Sequence, residues 1–281
     1  MFQRAYVEIT NVCNLRCAFC PGTRRAPRFM SPEEFRLLAG KLRPYTGYLY
    51  LHVLGEPLLH PDLSELLGIA RELDFRVCLT TNGTLLPRQL AVLESAPALH
   101  KLSVSLHSFE ANESKMSMED YLGGVWDSCT ALASRGVLCA LRLWNAGGLE
   151  AENDKILQFL SNKIEKSVDM LPTDRRGNRT LLSHIFLERA EKFDWPSLEA
   201  PEMGVEFCHG LRRQIAVLCD GTVVPCCLDG EGSIPLGNLL EQEMEEILSS
   251  RRVKNIQEGF ARRQPCEELC RRCGYATRFT K

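Results

Sequence analysis

The sequence lacks the features that would place it in a membrane or on a nucleic acid. It has no run of about 18 apolar residues, so no transmembrane helix is predicted. Its net charge is only −2, from 34 basic and 36 acidic residues, so the overall charge favours neither nucleic acid nor an anionic membrane surface. Arg4 and Glu8 interrupt the apolar core that an N-terminal signal peptide requires. We therefore expect a cytoplasmic protein with no membrane or nucleic-acid partner.

Internal repeats and low-complexity tracts are also absent, whereas cysteine is abundant, with 13 in 281 residues. Disulfides are rare in a reducing compartment, so clustered cysteines there indicate metal ligands first. Cys13, Cys17 and Cys20 have the spacing C-x3-C-x2-C. Sulfur ligands suit iron–sulfur clusters and zinc, and three thiolates on a cubic four-iron cluster leave one iron open. The alternatives are a zinc ion with a distant fourth ligand or unligated thiols in a loop.

The first two thirds of the chain alternates predicted strands with predicted helices. A capping box from Ser31 to Glu34 starts one helix, and the apolar face between Leu122 and Ala133 predicts another. Repeated strand–helix units imply an α/β fold with a parallel sheet, although periodicity alone does not separate a barrel from a doubly wound sheet. The predicted strands are Tyr6–Ile9, Tyr48–Leu54, Arg76–Thr81, Leu102–His107, Val137–Leu143 and His184–Glu188.

The C-terminal segment follows a less regular stretch over residues 145–204, which ends in a linker rich in proline and glycine. Gln214–Leu218 and Thr222–Pro225 flank an Asp-Gly pair, a strong hairpin signal. A short helix containing Met244 and Ile247 is predicted to follow. This segment is therefore expected to be a small α+β unit.

A second set of cysteines, Cys208, Cys226, Cys270 and Cys273, lies in this C-terminal segment. Four thiolates are sufficient for a zinc ion or for a closed iron–sulfur cluster. Cys266 repeats the C-x3-C-x2-C spacing with the last two and is an alternative ligand to Cys270 or Cys208. The apolar surroundings of three others, Cys78, Cys129 and Cys139, predict buried core positions.

The N-terminal cysteine motif, directly after the first predicted strand, resembles the signature of the radical S-adenosylmethionine (SAM) enzymes, and Phe19 before the last cysteine fits the same pattern. The resemblance implies a [4Fe-4S] cluster whose open iron binds S-adenosyl-L-methionine. It also implies that one electron cleaves SAM to a 5′-deoxyadenosyl radical, which abstracts a hydrogen atom from a substrate. The fold implied is a partial (β/α)6 barrel, expected over residues 1–204.

The C-terminal cysteines, together with Gly237-Asn238-Leu239, resemble the SPASM/Twitch domain. The chain lacks the additional C-x2-C-x5-C-x3-C block of the longer SPASM form. The resemblance therefore implies the shorter, Twitch-like form with one auxiliary [4Fe-4S] cluster. We expect this domain, a β-hairpin plus a helix, over residues 205–281.

The radical SAM resemblance also points to residues of a SAM site at the ends of the strands. Gly55 and Glu56 resemble the end of the family's Gly-Gly-Glu motif, although Leu54 replaces its first glycine. His107, at a strand end, is the candidate for contacting substrate or cofactor. The basic loop with Arg24, Arg25 and Arg28 is interpreted as solvated, and the alternative is that it binds an anionic substrate or reductant. The cofactor-binding residues implied are Phe19, Gly55, Glu56, Asn82, Ser105 and Arg142.

These patterns together predict a radical SAM oxidoreductase that removes hydrogen from a C–H bond of a peptide or a small molecule. A flavodoxin or ferredoxin is the expected electron donor, and the auxiliary cluster is the expected acceptor of the substrate's electron. The alternative is a non-catalytic interaction protein that binds zinc or an iron–sulfur cluster.

Overall fold

The computed structural model of the chain describes residues 1–112 and 116–279. Residues 113–115 and 280–281, which belong to the two predicted domains, lie outside the described residues. The chain forms two compact units. The first contains Met1–Cys13, Pro21–Arg76 and the chain from Phe193 onward, and the second contains Asn14–Cys20 and Val77–Lys192. The domain boundary between residues 204 and 205 stays a prediction.

The strands of the described residues are short, as is usual for a sheet with helical connections. They are β1 Arg4–Val7, β2 Tyr48–Leu51, β3 Arg76–Thr81, β4 Leu99–Ser105, β5 Leu138–Ala146, β6 Arg179–Leu182, β7 Ile185–Glu191, β8 Gln214–Val217, β9 Thr222–Val224 and β10 Gly237–Asn238.

The α-helices of the described residues mostly follow strands and pack an apolar face inward. They are α1 Pro32–Leu42, α2 Leu63–Glu72, α3 Leu86–Glu94, α4 Met118–Ser134, α5 Asn153–Lys163, α6 Met244–Ser249, α7 Arg251–Ala261 and α8 Glu268–Arg271. In the described ranges, none of them has both the length and the apolar character needed to cross a membrane.

The sheet of the first unit is centred on β1. Strand β1 runs parallel to β2, with Ala5 opposite Leu49, and parallel to β8, with Ala5 opposite Ile215. Strands β8 and β9 form the predicted antiparallel hairpin, and β10 adds to β9 in the antiparallel sense. The C-terminal hairpin therefore extends the sheet that contains the first strand of the chain.

The sheet of the second unit is mainly parallel. Strands β3, β4, β5 and β7 pair in that order in the parallel sense, and β6 pairs with β7 in the antiparallel sense. Helices α3 and α4 pack against each other, and α4 buries Tyr121, Trp126 and Leu132 among others. Polar residues at the carboxyl ends of β3, β4 and β5 are thereby held on neighbouring strands.

The predicted α/β class, the hairpin and the start of α1 are confirmed. The Ser31 hydroxyl accepts a hydrogen bond from the Glu34 N–H at 3.2 Å, and the Glu34 carboxylate accepts one from the Ser31 N–H at 2.9 Å. This reciprocal pair is the predicted capping box.

Several element boundaries differ from the sequence-based prediction. Strand β1 ends at Val7 instead of Ile9, because Ile9 accepts a backbone hydrogen bond from Met30 at 2.8 Å. Strand β2 ends at Leu51, and β4 ends at Ser105, where a 3₁₀ turn over Leu106–Ser108 begins. At the ends of β1 and β4 the chain leaves the ladder where its backbone finds another hydrogen-bond partner.

Among the described residues, five strands and α-helices were missed by the prediction: α5, β6, β10, α7 and α8. Helix α7 buries Val253, Ile256 and Phe260 at helical spacing, but the many polar residues between them obscured the pattern. Strand β6 is four residues long and lies at a sheet edge. A short edge strand carries little periodicity, so sequence alone does not reveal it.

Candidate functional site

Four cysteines of the first unit converge on one pocket. Cys226 follows β9, Cys208 precedes β8, Cys270 lies on α8 and Cys273 follows it. All four line a pocket with about 360 Å³ of empty space, part of it open to solvent. The rest of the lining is almost wholly apolar and includes Phe260, Leu269 and Ile234.

The thiols of this pocket are close enough to influence one another electrostatically. Burial raises the pKa of Cys226 well above its usual value, and the neighbouring thiols Cys227, Cys208 and Cys270 raise it further. Burial raises the pKa of Cys273 to about 11, with a further contribution from Cys208. Burial likewise raises the pKa of Cys270, and the neighbouring thiols Cys208 and Cys273 raise it further. Several thiolates in such a pocket would therefore need positive charge beside them, which the iron of a bound cluster would supply.

The alternative ligand Cys266 lies outside this pocket. Its side chain is exposed. Partial burial and the neighbouring Glu267 raise the pKa of Cys266, whereas Arg252 and Arg271 lower it. Cys227 is also absent from the pocket lining and instead packs against a buried apolar cluster that contains Tyr6 and Leu54. Within the described ranges, no three His, Cys, Asp or Glu side chains are gathered tightly enough to bind a single metal ion.

Gly55 and Glu56, two of the predicted SAM-binding residues, pack against the backbone that precedes Cys13. The Glu56 N–H donates to the Val12 carbonyl oxygen at 2.8 Å. Gly55 has φ +75°, and a Cβ atom there would lie 3.0 Å from Asn11 Cα and closer still to the Thr10 carbonyl oxygen. Only glycine fits this position without moving the backbone. Cys13 itself is exposed.

Glu56 has a structural partner in addition to its predicted cofactor role. Its carboxylate is buried and accepts a hydrogen bond from the Leu58 N–H at 3.0 Å. It thereby caps the 3₁₀ turn Pro57–Leu59. The backbone of this turn thus holds the carboxylate in position.

The remaining two cysteines of the N-terminal motif belong to the second unit, where the segment after β4 supports them. The Cys20 N–H donates to the Cys17 carbonyl oxygen at 3.0 Å, and the Ala18 N–H donates to the Ala111 carbonyl oxygen at 3.3 Å. The Asn112 side chain donates to Cys17 Sγ at 3.1 Å. Asn112 was missed by the sequence analysis, because nothing in the sequence links residues 95 positions apart.

Asn82 is bound into a small network of side chains. Its amide nitrogen donates to Asn14 Oδ1 at 2.9 Å, and its Oδ1 accepts from the Thr84 hydroxyl at 2.7 Å. Asn14 in turn donates to Thr84 Oγ1 at 2.9 Å. Asn82 is therefore placed next to the cysteine loop, and in this arrangement it orients Asn14, a residue of the motif itself.

His107 is half-buried and lies beside Arg142. Its Nδ1 lies 3.1 Å from the Arg142 carbonyl oxygen and 3.4 Å from the Trp144 backbone nitrogen. Burial lowers the pKa of His107, and the positive charge of Arg142 lowers it further, although the hydrogen bond to the carbonyl opposes this. Its ring packs 4.9 Å, centroid to centroid, from that of Phe19, which is 42% exposed.

Arg142 and Ser105 lie opposite each other on β5 and β4. Arg142 already has protein partners: its Nε donates to Glu188 at 3.1 Å and its Nη1 donates to Thr80 Oγ1 at 3.3 Å. Burial alone would raise the pKa of Glu188, but Arg142 and Lys101 outweigh it and lower that pKa. The ion pair holds the guanidinium in place at the strand ends.

The basic loop after the cysteine motif is not solvated as predicted, because two of its arginines bind buried groups. Arg25 pairs at 2.7 Å with Glu8, whose side chain is completely buried. The Glu8 carboxylate also accepts from the N–H groups of Leu54 at 3.2 Å and Cys219 at 3.1 Å. Arg28 donates to the Cys219 carbonyl oxygen at 2.7 Å. The network ties the loop to the end of β8.

The comparisons with known proteins agree with this arrangement. Residues 7–160 match the radical SAM superfamily, and residues 208–274 match the SPASM iron-sulfur cluster-binding domain. The GTP 3′,8-cyclase of Chlorobaculum tepidum is 38% identical over 88% of this chain and 84% of its own length. The enzyme of the same name from Stenotrophomonas maltophilia is 33% identical over 86% of this chain and 85% of its own.

Solved structures give the same fold. BtrN in complex with AdoMet and 2-DOIA aligns with a TM-score of 0.64 at 20% identity and covers 97% of this chain and 93% of BtrN. The structure of anSMEcpe with bound AdoMet aligns with a TM-score of 0.64 at 14% identity, over 100% of this chain and 91% of its own. At these identities the likeness shows the fold alone.

The fold and the two cysteine sets define an iron–sulfur enzyme built on a partial (β/α) barrel. The chain belongs to the radical SAM superfamily and carries a C-terminal SPASM iron–sulfur cluster-binding domain. Its cofactors are accordingly a [4Fe-4S] cluster with SAM and auxiliary iron–sulfur binding in the C-terminal region. The resemblance inferred from the sequence is confirmed.

Proposed function

We propose that this radical SAM enzyme is an oxidoreductase with one auxiliary [4Fe-4S] cluster, held by Cys208, Cys226, Cys270 and Cys273. The observation that carries the proposal is the convergence of these four thiols on one apolar pocket. When bound, the N-terminal cluster with SAM supplies a 5′-deoxyadenosyl radical for hydrogen abstraction, and the auxiliary cluster supplies an acceptor for the substrate's remaining electron.

The chain's own residues suit the auxiliary pocket to electron transfer. Four thiolates complete the coordination of a cubic cluster, so no iron is left open for a substrate. The Gly210 N–H donates to Cys208 Sγ at 3.4 Å, and the apolar lining of the pocket limits the access of water. Hydrogen bonds to the sulfurs and burial are the two protein features that set a cluster's reduction potential.

At the N-terminal motif, we propose Cys13, Cys17 and Cys20 as the ligands that leave one iron open for SAM. The residues proposed to hold SAM are Phe19, Gly55, Glu56, Asn82, Ser105 and Arg142. Arg142 offers a guanidinium fixed by Glu188, which suits a carboxylate group. His107 is the proposed contact to substrate, since its ring packs against that of Phe19, which lies within the cysteine motif.

The proposed substrate is a peptide or a small molecule with an unactivated C–H bond, and the proposed electron donor is a flavodoxin or ferredoxin. Among the structural relatives, BtrN is described in complex with 2-DOIA, and anSMEcpe with a peptide. These two descriptions support keeping both a small molecule and a peptide in the proposal.

A second candidate function is GTP 3′,8-cyclase activity. It is favoured by the 38% identity to the Chlorobaculum tepidum enzyme over most of both chains. The two candidates share SAM cleavage but differ in substrate, so they are separated by whether GTP is consumed.

The decisive experiment is iron, sulfide and deoxyadenosine analysis of anaerobically reconstituted protein. We expect about eight irons per chain, the content of two four-iron clusters. The Cys226→Ala variant should retain only about four, whereas the matched variant Cys266→Ala, at an exposed cysteine outside the pocket, should retain the full content. Replacing Cys13, Cys17 and Cys20 by alanine should abolish deoxyadenosine formation.

Each outcome is informative about the proposal. Stoichiometric zinc without iron would support the interaction protein and refute the oxidoreductase. Equal iron loss in Cys226→Ala and Cys266→Ala would refute the ligand assignment. Consumption of GTP coupled to deoxyadenosine formation would replace the oxidoreductase by the cyclase.

A further inference from the structure

We propose that Asn112 is a positioning residue for the N-terminal cluster: its side-chain N–H donates a hydrogen bond to the sulfur of Cys17 and makes the cluster easier to reduce. The proposal rests on the proposed function, because it takes Cys17 as a cluster ligand. It concerns a residue that lies outside both cysteine motifs and follows β4 in the chain.

The orientation of the Asn112 amide is dictated by backbone groups. Its Oδ1 accepts from the Arg16 N–H at 2.8 Å, and its Nδ2 donates to the Ser108 carbonyl oxygen at 2.7 Å. A flipped amide would set an NH₂ group against the Arg16 N–H and an oxygen against the Ser108 carbonyl. Both contacts would then be repulsive, so only one orientation is compatible with the surroundings.

This orientation leaves the second N–H of the amide for sulfur. Nδ2 carries two hydrogens, one of which is used by Ser108. The other is directed at Cys17 Sγ, at 3.1 Å. The donor is therefore held towards the sulfur by contacts that do not depend on the sulfur's own state.

The cysteine loop is held on the same segment by its backbone. Besides the Arg16 contact, the Ala18 N–H donates to the Ala111 carbonyl oxygen at 3.3 Å, and the Asn112 N–H donates to the Phe109 carbonyl oxygen at 3.3 Å. Of the two residues that flank Cys17, Arg16 thus binds Asn112 and Ala18 binds Ala111. The donor and the sulfur are kept in register by the fold.

A hydrogen bond to a ligand sulfur favours the reduced cluster. Reduction adds one negative charge, part of which is carried by the sulfur ligands, and a donor hydrogen stabilises that charge. Hydrogen bonds to the sulfurs are among the features that set cluster potentials. Asn112 would accordingly raise the potential at which the cluster accepts an electron from its reductant.

The test is an anaerobic redox titration of reconstituted Asn112→Asp followed by EPR. The N-terminal cluster is recognised as the signal that changes when SAM is added. Aspartate keeps an oxygen for the Arg16 N–H but replaces the donor by a carboxylate oxygen. We expect at least a tenfold loss in the equilibrium constant for reduction, about 59 mV for one electron. The reduction potential of the cluster in this variant should rise again in part as the pH is lowered, because a protonated carboxyl group carries a donor hydrogen.

Two controls separate redox tuning from structural damage or added charge. Asn162→Asp makes the same charge change at an exposed position of α5 in the same unit and should leave the potential unchanged. The second, SAM-insensitive cluster signal should keep its potential in every variant. Asn112→Leu, which removes the donor without adding charge, should shift the potential in the same direction as Asn112→Asp.

The outcomes distinguish this proposal from the proposed function. If the unmutated protein assembles no cluster that responds to SAM, the proposed function fails. If all variants hold full iron and their potentials agree, the role of Asn112 fails while the proposed function stands. Loss of the SAM-responsive cluster in both Asn112 variants, with Asn162→Asp intact, would also overturn redox tuning, because Asn112 would then serve to retain the cluster.

Discussion

The buried ion pair between Glu8 and Arg25 offers a quantitative test of how the cysteine loop is held. We expect Glu8→Gln to destabilise the protein by about 3 kcal/mol, within the range for removing one partner of a buried pair. The Glu8 side chain has no exposure to solvent, and that of Arg25 is 17% exposed. Glutamine has nearly the same shape, so packing is preserved while the charge is lost.

The magnitude follows from the contacts that glutamine cannot make. The Glu8 carboxylate accepts from Arg25 at 2.7 Å and Leu54 N–H at 3.2 Å through one oxygen, and from Cys219 N–H at 3.1 Å through the other. A glutamine amide presents NH₂ to one of these two sides in either orientation. At least one buried donor is then unsatisfied, which costs about 1–3 kcal/mol, and Arg25 loses its counter-charge as well.

The matched control is the ion pair of Arg36 and Glu72. Its separation is 2.6 Å, but its side chains are 50% and 60% exposed. Exposed pairs contribute little because water screens them, so Glu72→Gln should change stability far less than Glu8→Gln. The assay is denaturant or thermal unfolding of the anaerobic holoprotein. Equal effects of the two substitutions would refute the argument from burial.

The pH dependence of Arg25→Met checks the same pair from the other side. Burial raises the pKa of Glu8, and Arg25 opposes this without cancelling it. Without Arg25 the folded-state pKa should rise further, so the folded protein binds a proton more readily than the unfolded chain. Stability of the variant should therefore fall as the pH rises from about 4.5 through the folded-state pKa. A pH–stability profile identical to that of the unmutated protein would contradict this.

Three further predictions concern the backbone, the histidine and the auxiliary pocket. Gly55→Ala should destabilise the protein, because φ is +75° and the added Cβ would clash with the backbone of Thr10 and Asn11. The control Gly68→Ala, in open space on α2, should stabilise the protein by about 0.5–1 kcal/mol. Equal melting temperatures of Gly55→Ala and the unmutated protein would contradict the first claim. Burial lowers the pKa of His107, so the unfolded chain binds the proton more readily than the folded protein. His107→Gln should therefore lose less stability than the unmutated protein as the pH falls below about 6.5. Superimposable pH–stability curves would refute this. Cys226→Ala should keep cleavage of SAM but stop turnover of substrate to product, measured as deoxyadenosine against product; product formation at the unmutated rate would exclude a role for the auxiliary cluster as electron acceptor.

Much of the fold and of the metal chemistry was accessible from the sequence. The third predicted strand coincides with β3, Arg76–Thr81, and the Asp-Gly signal placed the hairpin of β8 and β9. These features depend on neighbours in the chain, so local patterns reveal them. The four C-terminal cysteines were selected by spacing, and all of them line the pocket.

Other features depend on residues that are distant in the chain. The basic loop was interpreted as solvated because nothing near Arg25 in the sequence indicates that it contacts a carboxylate 17 residues earlier. Helix α5 and strand β6 lie in a stretch whose composition is mostly polar, and periodicity there is weak. The pairing of β8 with β1 joins residues more than 200 positions apart, which no local pattern encodes.

The sequence by itself determined the kind of chemistry, because the spacing of thiolates limits which metal clusters they can hold. Only the tertiary structure decided which groups support those thiolates: it excluded Cys266 from the pocket lining, buried Glu8 against Arg25 and directed the amide of Asn112 at Cys17. The physical reason is that ligand type is a property of a short segment, whereas burial and hydrogen bonding arise when separate segments pack together.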